Sequence, residues 1–365
     1  MTPLEQEIHR LIAIDGPIPV ARYMALCLGH PVHGYYRHRD PFGAGGDFVT
    51  APEISQMFGE LIGLWAAAVW QQMGTPSPVR LVELGPGRGT LMADALRAAK
   101  VLPAFRAALQ VDLVETSPHL RQHQQTALEG AGVPLAWHDA IEDVPDGPAI
   151  VIANEFVDAL PVQQLVRQPR GWHERMVGID ADGRLAFALS PDPLPHIERI
   201  LPPGLRDAPL GAVFEWRADH LATELGRRAA AGSVALIVDY GHARSAPGET
   251  LQALRAHAYA DPLDSPGDAD LTAHVDFEAL GRAAAVAGAR IFGPIEQATF
   301  LRRLGIAARA AALKQRATEP QRRQIDAALA RLTDTVSATA MGRLFKVMAI
   351  APPELAALPA FDNDG

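Results

Sequence analysis

The sequence has little cysteine and no long apolar run. Its single cysteine, Cys27, excludes an intramolecular disulfide and a thiolate zinc cluster, and its position between Leu26 and Leu28 indicates a small core residue. The longest apolar run, residues 61–70, is much shorter than the roughly 20 residues that a membrane-spanning helix needs. The sequence therefore predicts neither redox chemistry at cysteine nor a membrane span.

Positive charge is also scarce. The 365 residues include 33 Lys and Arg against 42 Asp and Glu, which gives a formal net charge of -9. This sign is unfavourable for binding the phosphates of nucleic acids, so no nucleic-acid partner is predicted. The N-terminal residues 1–16 include acids and lack the apolar stretch of a secretory signal, which favours a cytoplasmic location. With 48% hydrophobic residues, the composition is that of a globular protein.

Short apolar runs alternate with helical patterns through the middle of the chain. Strands are predicted at residues 80–84, 111–115, 134–138, 149–153 and 234–240. Strands that alternate with helices indicate a parallel sheet with crossover connections. The sequence therefore predicts an α/β fold.

Three further regions depart from this pattern. Helical periodicity surrounds a Gly- and Pro-rich loop near the N-terminus, alternating segments predict an antiparallel meander, and Ala- and Arg-rich sequence precedes a last strand. The predicted division is an N-terminal helical segment and lid loop at 1–75, a core at 76–161, 230–297 and 341–353, a meander and helix insertion at 162–229, and a helical insertion at 298–340.

A glycine-rich turn, VELGPGRGTL, follows the first predicted strand. Gly85, Gly87 and Gly89, with Pro86 between the first two, allow a ligand to approach the backbone closely, and the helix start offers unpaired N–H groups. The spacing G-x-G-x-G differs from the dinucleotide fingerprint G-x-G-x-x-G. The Glu83 carboxylate would repel a pyrophosphate but suits an ammonium or sulfonium group. The turn therefore favours S-adenosyl-L-methionine, with an ordinary strand-to-helix turn as the alternative.

Acidic residues also end the next two predicted strands. A parallel sheet places Glu115 beside the first strand, where its carboxylate can accept both ribose hydroxyls of a nucleoside. The alternative is a residue next to a helix cap, because Ser117 starts the following helix. Asp139 follows the third strand, where it is expected either to accept from the adenine amino group or to be a solvated loop acid or helix cap.

Three polar residues, Asn154, Glu155 and Asp158, follow the fourth predicted strand. Residues at the carboxyl end of a central strand face the ligand crevice of such a sheet. Methyl transfer needs an aligned nucleophile, and a guanidinium, which stays charged in proteins, needs carboxylates to hold it. Glu155 and Asp158 are the candidate clamp. The alternative is that Asp158 caps the next segment while Glu155 pairs with a loop arginine.

Histidines suggest one further catalytic residue. His274, in DLTAHVDF, precedes a predicted helix at the same edge of the sheet and is a candidate base for the proton released on transfer. The alternative is a packed loop histidine, with Thr272 or Asp276 as the helix cap. Three other histidines lack an acid or cysteine at ligand spacing, so no metal site is predicted. These are His30, His33 and His38.

Together, these motifs resemble a known family. The stretches GDFVTAPEISQMFGELIGLW, VELGPGRGTL, NEFVDALPV, LIVDYGH, DLTAHVDF, FLRRLGI and MGRLFKVMAI are similar to those of the MidA-type methyltransferases. This is the family of the mitochondrial complex I assembly factor that methylates arginine. The resemblance extends from the first helix to the last strand. It implies a class I S-adenosylmethionine-dependent methyltransferase fold, which is Rossmann-like and has a seven-stranded sheet.

The resemblance also implies a cofactor site and an activity. S-adenosyl-L-methionine is expected against the glycine turn and Glu115, with residues 47–53, including Thr50 and Glu53, as an N-terminal lid. The implied activity is symmetric dimethylation of an arginine on a peripheral-arm subunit of complex I, an NADH:quinone oxidoreductase. The expected partner is thus a protein substrate, and a homodimer stays open. The alternatives are a small-molecule methyltransferase and an assembly factor that binds the cofactor without catalysis.

Overall fold

The computed structural model describes residues 1–38, 50–195, 197, 201–255 and 258–361. The helices in these ranges are α1 (Pro3–Asp15), α2 (Val20–Gly29), α3 (Tyr35–His38), α4 (Ala51–Ile54), α5 (Gln56–Gln72), α6 (Thr90–Ala98), α7 (Pro103–Ala108), α8 (Pro118–Ala127), α9 (His220–Ala230), α10 (Phe277–Val286), α11 (Gln297–Arg303), α12 (Ile306–Lys314), α13 (Glu319–Thr333) and α14 (Met341–Leu344). None of these helices is both long enough and apolar enough to cross a bilayer.

The strands in the same ranges are β1 (Ile18–Pro19), β2 (Val79–Leu84), β3 (Leu109–Val114), β4 (Leu135–His138), β5 (Ala149–Asn154), β6 (Val162–Gln168), β7 (Gly171–Ile179), β8 (Leu185–Leu189), β9 (Val213–Arg217), β10 (Val234–His242), β11 (Gln252–Arg255), β12 (Ala258–Ala260), β13 (Asp270–Thr272), β14 (Val275–Asp276), β15 (Arg290–Glu296) and β16 (Phe345–Ala351). The five strands expected in the sequence correspond to β2, β3, β4, β5 and β10. The last predicted strand corresponds to β16.

The central sheet has the strand order β15-β16-β10-β5-β2-β3-β4, and the short strand β14 pairs with β10 beside this path. The strands from β4 to β10 pair in parallel, whereas β16 runs antiparallel to both β10 and β15. The predicted α/β fold with seven strands along its main sheet is confirmed. Strand order reverses at β2 and β5, so their carboxyl ends are where a ligand crevice forms in such sheets.

The side chains of the sheet alternate between two apolar layers, as strand geometry requires. In β2, Val79 and Leu81 pack with α5 and α6, whereas Val82 and Leu84 pack with α9 and α10. Each of these fully buried side chains contributes roughly 1.5–3 kcal/mol to folding. The same alternation places Glu83 on the α5 and α6 side, at the end of the strand.

Close packing between α5 and α6 depends on two glycines of α5. A Cβ on Gly63 would lie 2.6 Å from backbone atoms of Ala95, and one on Gly59 would lie 2.7 Å from Cβ of Asp94. Only glycine at these two positions lets the helices approach this closely. The contact therefore holds α6, the helix that follows the glycine turn, against α5.

The insertions form two smaller sheets and a helical group. Strands β6, β7 and β8 form the predicted antiparallel meander, but the sheet extends further, in the order β1-β7-β6-β9. Strands β11, β12 and β13 form a third sheet, and α11 to α14 lie between β15 and β16. Contacts cross the predicted boundaries: Nε of Arg309 in α12 donates a 2.7 Å hydrogen bond to Glu60 in α5. The division into regions therefore stays a prediction.

Candidate active site

The glycine turn connects β2 to α6 in a conformation that favours glycine. The φ angles of Gly85, Gly87 and Gly89 are 62°, 54° and 82°, all in the left-handed region. A Cβ on Gly85 would also lie 2.6 Å from the ring of Phe156. Glycine therefore suits the backbone path at all three positions and is also needed for a close contact at Gly85. The turn leads into the start of α6, whose first N–H groups have no partner within the helix.

Two buried oxygen atoms beside this turn have no donor among the described residues. They are Oε2 of Glu83 and Oδ1 of Asn154, which lie on adjacent strands where β2 pairs with β5. Both side chains are less than a tenth exposed and line a cavity of about 40 Å³. Burial raises the pKa of Glu83 to about 8. Buried acceptors normally have donors, so this pair fits a ligand with a positively charged amino group, such as the ammonium of S-adenosyl-L-methionine.

Helix α4 covers the glycine turn. Thr50 and Glu53 line the small cavity, and the hydroxyl of Thr90 donates a 2.6 Å hydrogen bond to Oε1 of Glu53. The backbone N–H of Ala51 donates to Oε1 of Glu155 at 2.9 Å. The two predicted lid residues, Thr50 and Glu53, therefore line the same cavity as Glu83 and the glycine turn, which are predicted to bind the cofactor. The earlier part of the expected lid, residues 47–49, lies outside the described residues.

Glu115 follows β3, next to β2 in the sheet, and is 8% exposed. Its Oε1 accepts from the backbone N–H of Ser117 at 2.7 Å, and its Oε2 accepts from the side chain of Gln124 at 3.3 Å. A carboxylate has about four acceptor positions, so both oxygens retain capacity for further donors. Burial raises its pKa. Ser117 caps α8, as the alternative interpretation expected, yet Glu115 still lies at the predicted edge.

Gln124 is a site residue that the sequence reasoning missed. Its Nε2 donates to the backbone carbonyl of Gly87 at 2.8 Å, while its Oε1 accepts from the indole of Trp137 at 2.9 Å. The side chain is fully buried. A sequence signal did exist, because Gln124 follows the buried Leu120 by four residues on the same face of α8.

Asp139 lies apart from this buried group. Its side chain is 78% exposed and pairs with Arg121 at 2.7 Å. It lines the rim of a larger cavity, of about 720 Å³, between the sheet and strand β9. Its exposure is typical of a solvated loop acid, while its position after β4 is the predicted one.

Glu155 has a positive φ of 49°, which is unusual for a residue other than glycine. It directly follows β5, is partly buried, and lines the small cavity beside Glu83 and Asn154. Its pKa is raised to about 7, chiefly by burial and also by the nearby Asp158, against the lowering effect of the Ala51 N–H and of the positive charge of Arg331. A strained residue with a carboxyl group poised near neutrality is a strong candidate for a functional role.

Asp158 belongs to a buried polar network. The hydroxyl of Tyr240 donates to its Oδ2 at 2.7 Å, and Asp239 accepts from the backbone N–H groups of Val157 and Asp158. Burial raises the pKa of both carboxyl groups. Asp158 is close enough to affect Glu155 electrostatically but is not among the residues that line the small cavity.

His274 packs against the same network. Its ring lies edge-on to that of Tyr240, with 5.5 Å between centroids, and burial lowers its pKa, so the imidazole is neutral at pH 7. Its backbone N–H donates to Thr250. The expected alternative cap is present, because Asp276 accepts from the N–H of Ala279 at the start of α10.

Comparison with known proteins decides the family. The sequence model of a family described as S-adenosyl-L-methionine-dependent methyltransferases matches residues 61–295. The chain belongs to this family. The mitochondrial protein arginine methyltransferase NDUFAF7 homolog of Drosophila melanogaster is 38% identical over 384 residues, which cover 97% of this chain and 86% of that protein. The Mus musculus protein arginine methyltransferase NDUFAF7, mitochondrial, is 39% identical over 89% of this chain and 79% of its own length.

A solved structure supports the same assignment. A Burkholderia thailandensis protein bound to S-adenosyl-homocysteine superposes with a TM-score of 0.84 at 32% identity, covering 99% of this chain and 94% of that one. The predicted class I methyltransferase fold and the predicted cofactor, S-adenosyl-L-methionine, are confirmed. The predicted cytoplasmic location is wrong, because these curated relatives are mitochondrial.

Proposed function

We propose that this methyltransferase transfers methyl groups to an arginine side chain of a protein. The carboxyl group of Glu155 carries the proposal, since it lines the same small cavity as the unpaired acceptors Glu83 and Asn154. Curated relatives that match most of the chain are named protein arginine methyltransferases. An acid at this position suits a cationic acceptor.

The cofactor supplies a methyl group on a positively charged sulfur. Transfer forms a bond between the methyl carbon and a terminal nitrogen of arginine, breaks the carbon–sulfur bond with its electron pair staying on sulfur, and releases one proton from nitrogen. Glu155 accepts a hydrogen bond from an N–H of the guanidinium and draws positive charge away from the nitrogen that reacts. Asp158 adds negative charge beside Glu155. His274, neutral at pH 7, is proposed to receive the released proton through solvent.

The cofactor contacts follow from the polar groups around the cavity. Glu83 and Asn154 accept from the ammonium group, and the N–H groups at the start of α6, beside Gly85, Pro86, Gly87 and Gly89, bind its carboxylate. Three further contacts complete the proposed set: Glu115 to the ribose, Asp139 to the adenine, and the α4 residues Thr50 and Glu53 over the methionine part.

The proposed substrate is a peripheral-arm subunit of a complex I-type NADH:quinone oxidoreductase. The resemblance of seven sequence stretches to the MidA-type family supports this choice. We further propose that the insertions at 162–229 and 298–340 contact that protein, because a small substrate needs only a closed pocket. A homodimer stays a prediction that sedimentation velocity of the purified protein would test.

Methyl transfer from labelled S-adenosyl-L-methionine to the purified subunit tests the proposal. We expect label in methylarginine after acid hydrolysis. Glu155→Gln should abolish transfer yet keep the affinity for S-adenosyl-homocysteine, since a glutamine oxygen still accepts from the N–H of Ala51. Label confined to small molecules, or tight cofactor binding without any transfer, would disprove the proposed activity. Full activity of Glu155→Gln would disprove the role of Glu155.

A further inference from the structure

A second cavity also has Glu155 in its lining, but no residue of the glycine turn. Its volume is about 340 Å³, at the low end of the roughly 300–1,000 Å³ of small-ligand sites. Its lining residues are Glu155, Arg331, Asp334, Thr339, Met341 and Phe345. Apart from Glu155, all of them come from the end of α13, the connection at 334–340, α14 and the start of β16. Glu155 is therefore a wall of both this cavity and the small cofactor cavity.

The cavity becomes less exposed from its mouth to its floor. Arg331, Asp334 and Thr339 are exposed, whereas Phe345 is 8% exposed and Met341 is partly buried. The Phe345 ring contacts that of Tyr240, with 5.4 Å between centroids, and so continues into the buried network. A ligand from solvent thus passes polar groups, then an apolar wall, and ends at a carboxyl group.

A polar entrance, an apolar wall and a carboxyl group together suit an arginine side chain. Arginine has an apolar stem of three methylene groups and a terminal guanidinium, so it can place the stem along apolar residues and the cation against an acid. Two carboxyl groups and one guanidinium line the cavity, a balance that disfavours an anionic acceptor. The exposed mouth admits a side chain that remains attached to a protein.

We propose that this cavity, the acceptor pocket, receives the side chain of the substrate arginine, with its guanidinium at Glu155 and its stem along Met341 and Phe345. The inference rests on the proposed arginine methylation and adds to it the elements that select the acceptor. The α13–α14 connection is thus assigned to substrate recognition, and Asp334 is a positioning residue that attracts the cation at the mouth.

Paired substitutions on the connection test the pocket. Thr339→Arg places a positive charge at the mouth, whereas Val336→Arg adds the same charge to the same connection, at a residue that is 91% exposed and does not line the pocket. We expect Thr339→Arg to raise the KM for the protein acceptor about tenfold or more by repulsion, and Val336→Arg to leave it within about twofold. The affinity for S-adenosyl-homocysteine should stay unchanged in both, since neither residue lines the cofactor cavity.

A second pair of substitutions, which add bulk without charge, controls for long-range electrostatic effects. Met341→Trp fills the pocket and should raise the acceptor KM at least as much as Thr339→Arg, whereas Val336→Trp should not. Asp334→Asn should raise KM about threefold, because the asparagine oxygen keeps the bond from the N–H of Val336 while the charge is lost. Unchanged KM values in Thr339→Arg and Met341→Trp, or a lower KM in Thr339→Arg, would overturn the assignment.

The wild-type reaction separates the two proposals. Label in a residue other than arginine, or in a small molecule, would refute the proposed function. The same substitutions would then still show whether that acceptor enters through this pocket. Label in arginine together with wild-type KM values in the pocket variants would refute the pocket alone.

Discussion

The backbone N–H of Ala51 donates a 2.9 Å hydrogen bond to Oε1 of Glu155, although 104 residues separate the two in sequence. The first residue of α4 is thus held by the carboxyl group that we assign to catalysis. The hydroxyl of Thr90 holds the other end of this short helix, at Glu53. Thr50, Pro52 and Glu53 line the cavity of about 40 Å³ beneath, so α4 forms one of its walls.

Removing one of the hydrogen bonds that hold α4 over the cavity should speed cofactor exchange. In Thr90→Val the donor to Glu53 is lost, and a neutral donor to a carboxylate is worth roughly 1.5–3 kcal/mol. We expect the dissociation rate of S-adenosyl-homocysteine to rise about tenfold in stopped-flow displacement. Thr126→Val is the matched control, because the Thr126 hydroxyl bonds only within the exposed face of α8. Equal dissociation rates in wild type and Thr90→Val would mean that α4 does not limit release.

The buried carboxyl group of Glu83 should make stability depend on pH. Its folded-state pKa of about 8 lies above the ordinary value of 4.5, so the folded protein retains a proton that the unfolded chain loses. The resulting stabilisation is complete below pH about 4.5 and is lost as pH rises through about 8. Glutamine has no such proton to lose. As pH rises between these limits, the free energy of unfolding should therefore fall less steeply in Glu83→Gln than in wild type, and the two slopes should differ by up to about 1.4 kcal/mol per pH unit.

Urea unfolding at pH 5 and pH 8.5 measures that difference. Glu129→Gln, at an exposed position, should behave as wild type. At pH 8.5, where Glu83 is mostly ionised, the same Glu83→Gln protein should bind S-adenosyl-homocysteine at least about tenfold more weakly than wild type, because the ammonium loses its charged acceptor. Parallel pH profiles for wild type and Glu83→Gln would show that Glu83 does not hold the proton.

Alanine substitutions at two glycines should distinguish the effect of backbone strain from the effect of a steric clash. Gly85 and Gly16 have φ angles of 62° and 84°, but a Cβ on Gly16 would meet no atom within 4 Å, whereas one on Gly85 would meet Phe156. Gly16→Ala should lower stability by about 1–2 kcal/mol and leave cofactor affinity intact. Gly85→Ala should cost more than this and abolish binding in calorimetry. Normal cofactor affinity in Gly85→Ala would contradict the close approach assigned to this turn.

Arg217 should be among the most sensitive positions outside the cofactor site. Its guanidinium donates to four backbone carbonyls and so connects β9 to the segments after β5 and β13. The acceptors are the carbonyl oxygens of Asp158, Leu160, Ala273 and His274. Arg217→Met should lower the free energy of unfolding by about 3 kcal/mol or more, since several acceptors lose their donor.

The control for Arg217→Met is Arg227→Met, at an exposed arginine that pairs with side chains only. Arg227→Met should be near neutral, as surface ion pairs usually are. Both variants are compared by chemical denaturation. Equal stabilities would show that the four carbonyls find other partners, such as water, once the guanidinium is removed.

The sequence predicted the parts of the site that depend on local pattern. The short apolar run at 80–84 placed Glu83 near the strand end, and the glycine turn followed from its spacing and the adjacent helix. The position of Asn154 at the carboxyl end of β5 was predicted in the same way. These residues depend on one strand and the turn that follows it, and such short-range features can be interpreted without knowing how distant segments pack.

Long-range contacts were beyond the same reasoning. Gln124 reaches Gly87 across 37 residues, and Arg217 bonds to carbonyls about 57 residues away on both sides. Strand β1 has two residues, too few for an alternating pattern, so its pairing with β7 gave no signal. Asp139 was predicted as part of the cofactor site, but sequence position did not indicate its pairing with Arg121.

The pairing of β1 with β7 has a consequence for the handling of this protein. Ile18 and Pro19 cover part of the β7 edge, in a sheet whose other strands belong to the insertion after β5. Removal of the first twenty residues would leave those backbone groups of β7 open to pairing with another molecule, since a bare strand edge is a template for aggregation. Shortened versions of the chain are therefore expected to self-associate, even though the cofactor residues would all be present.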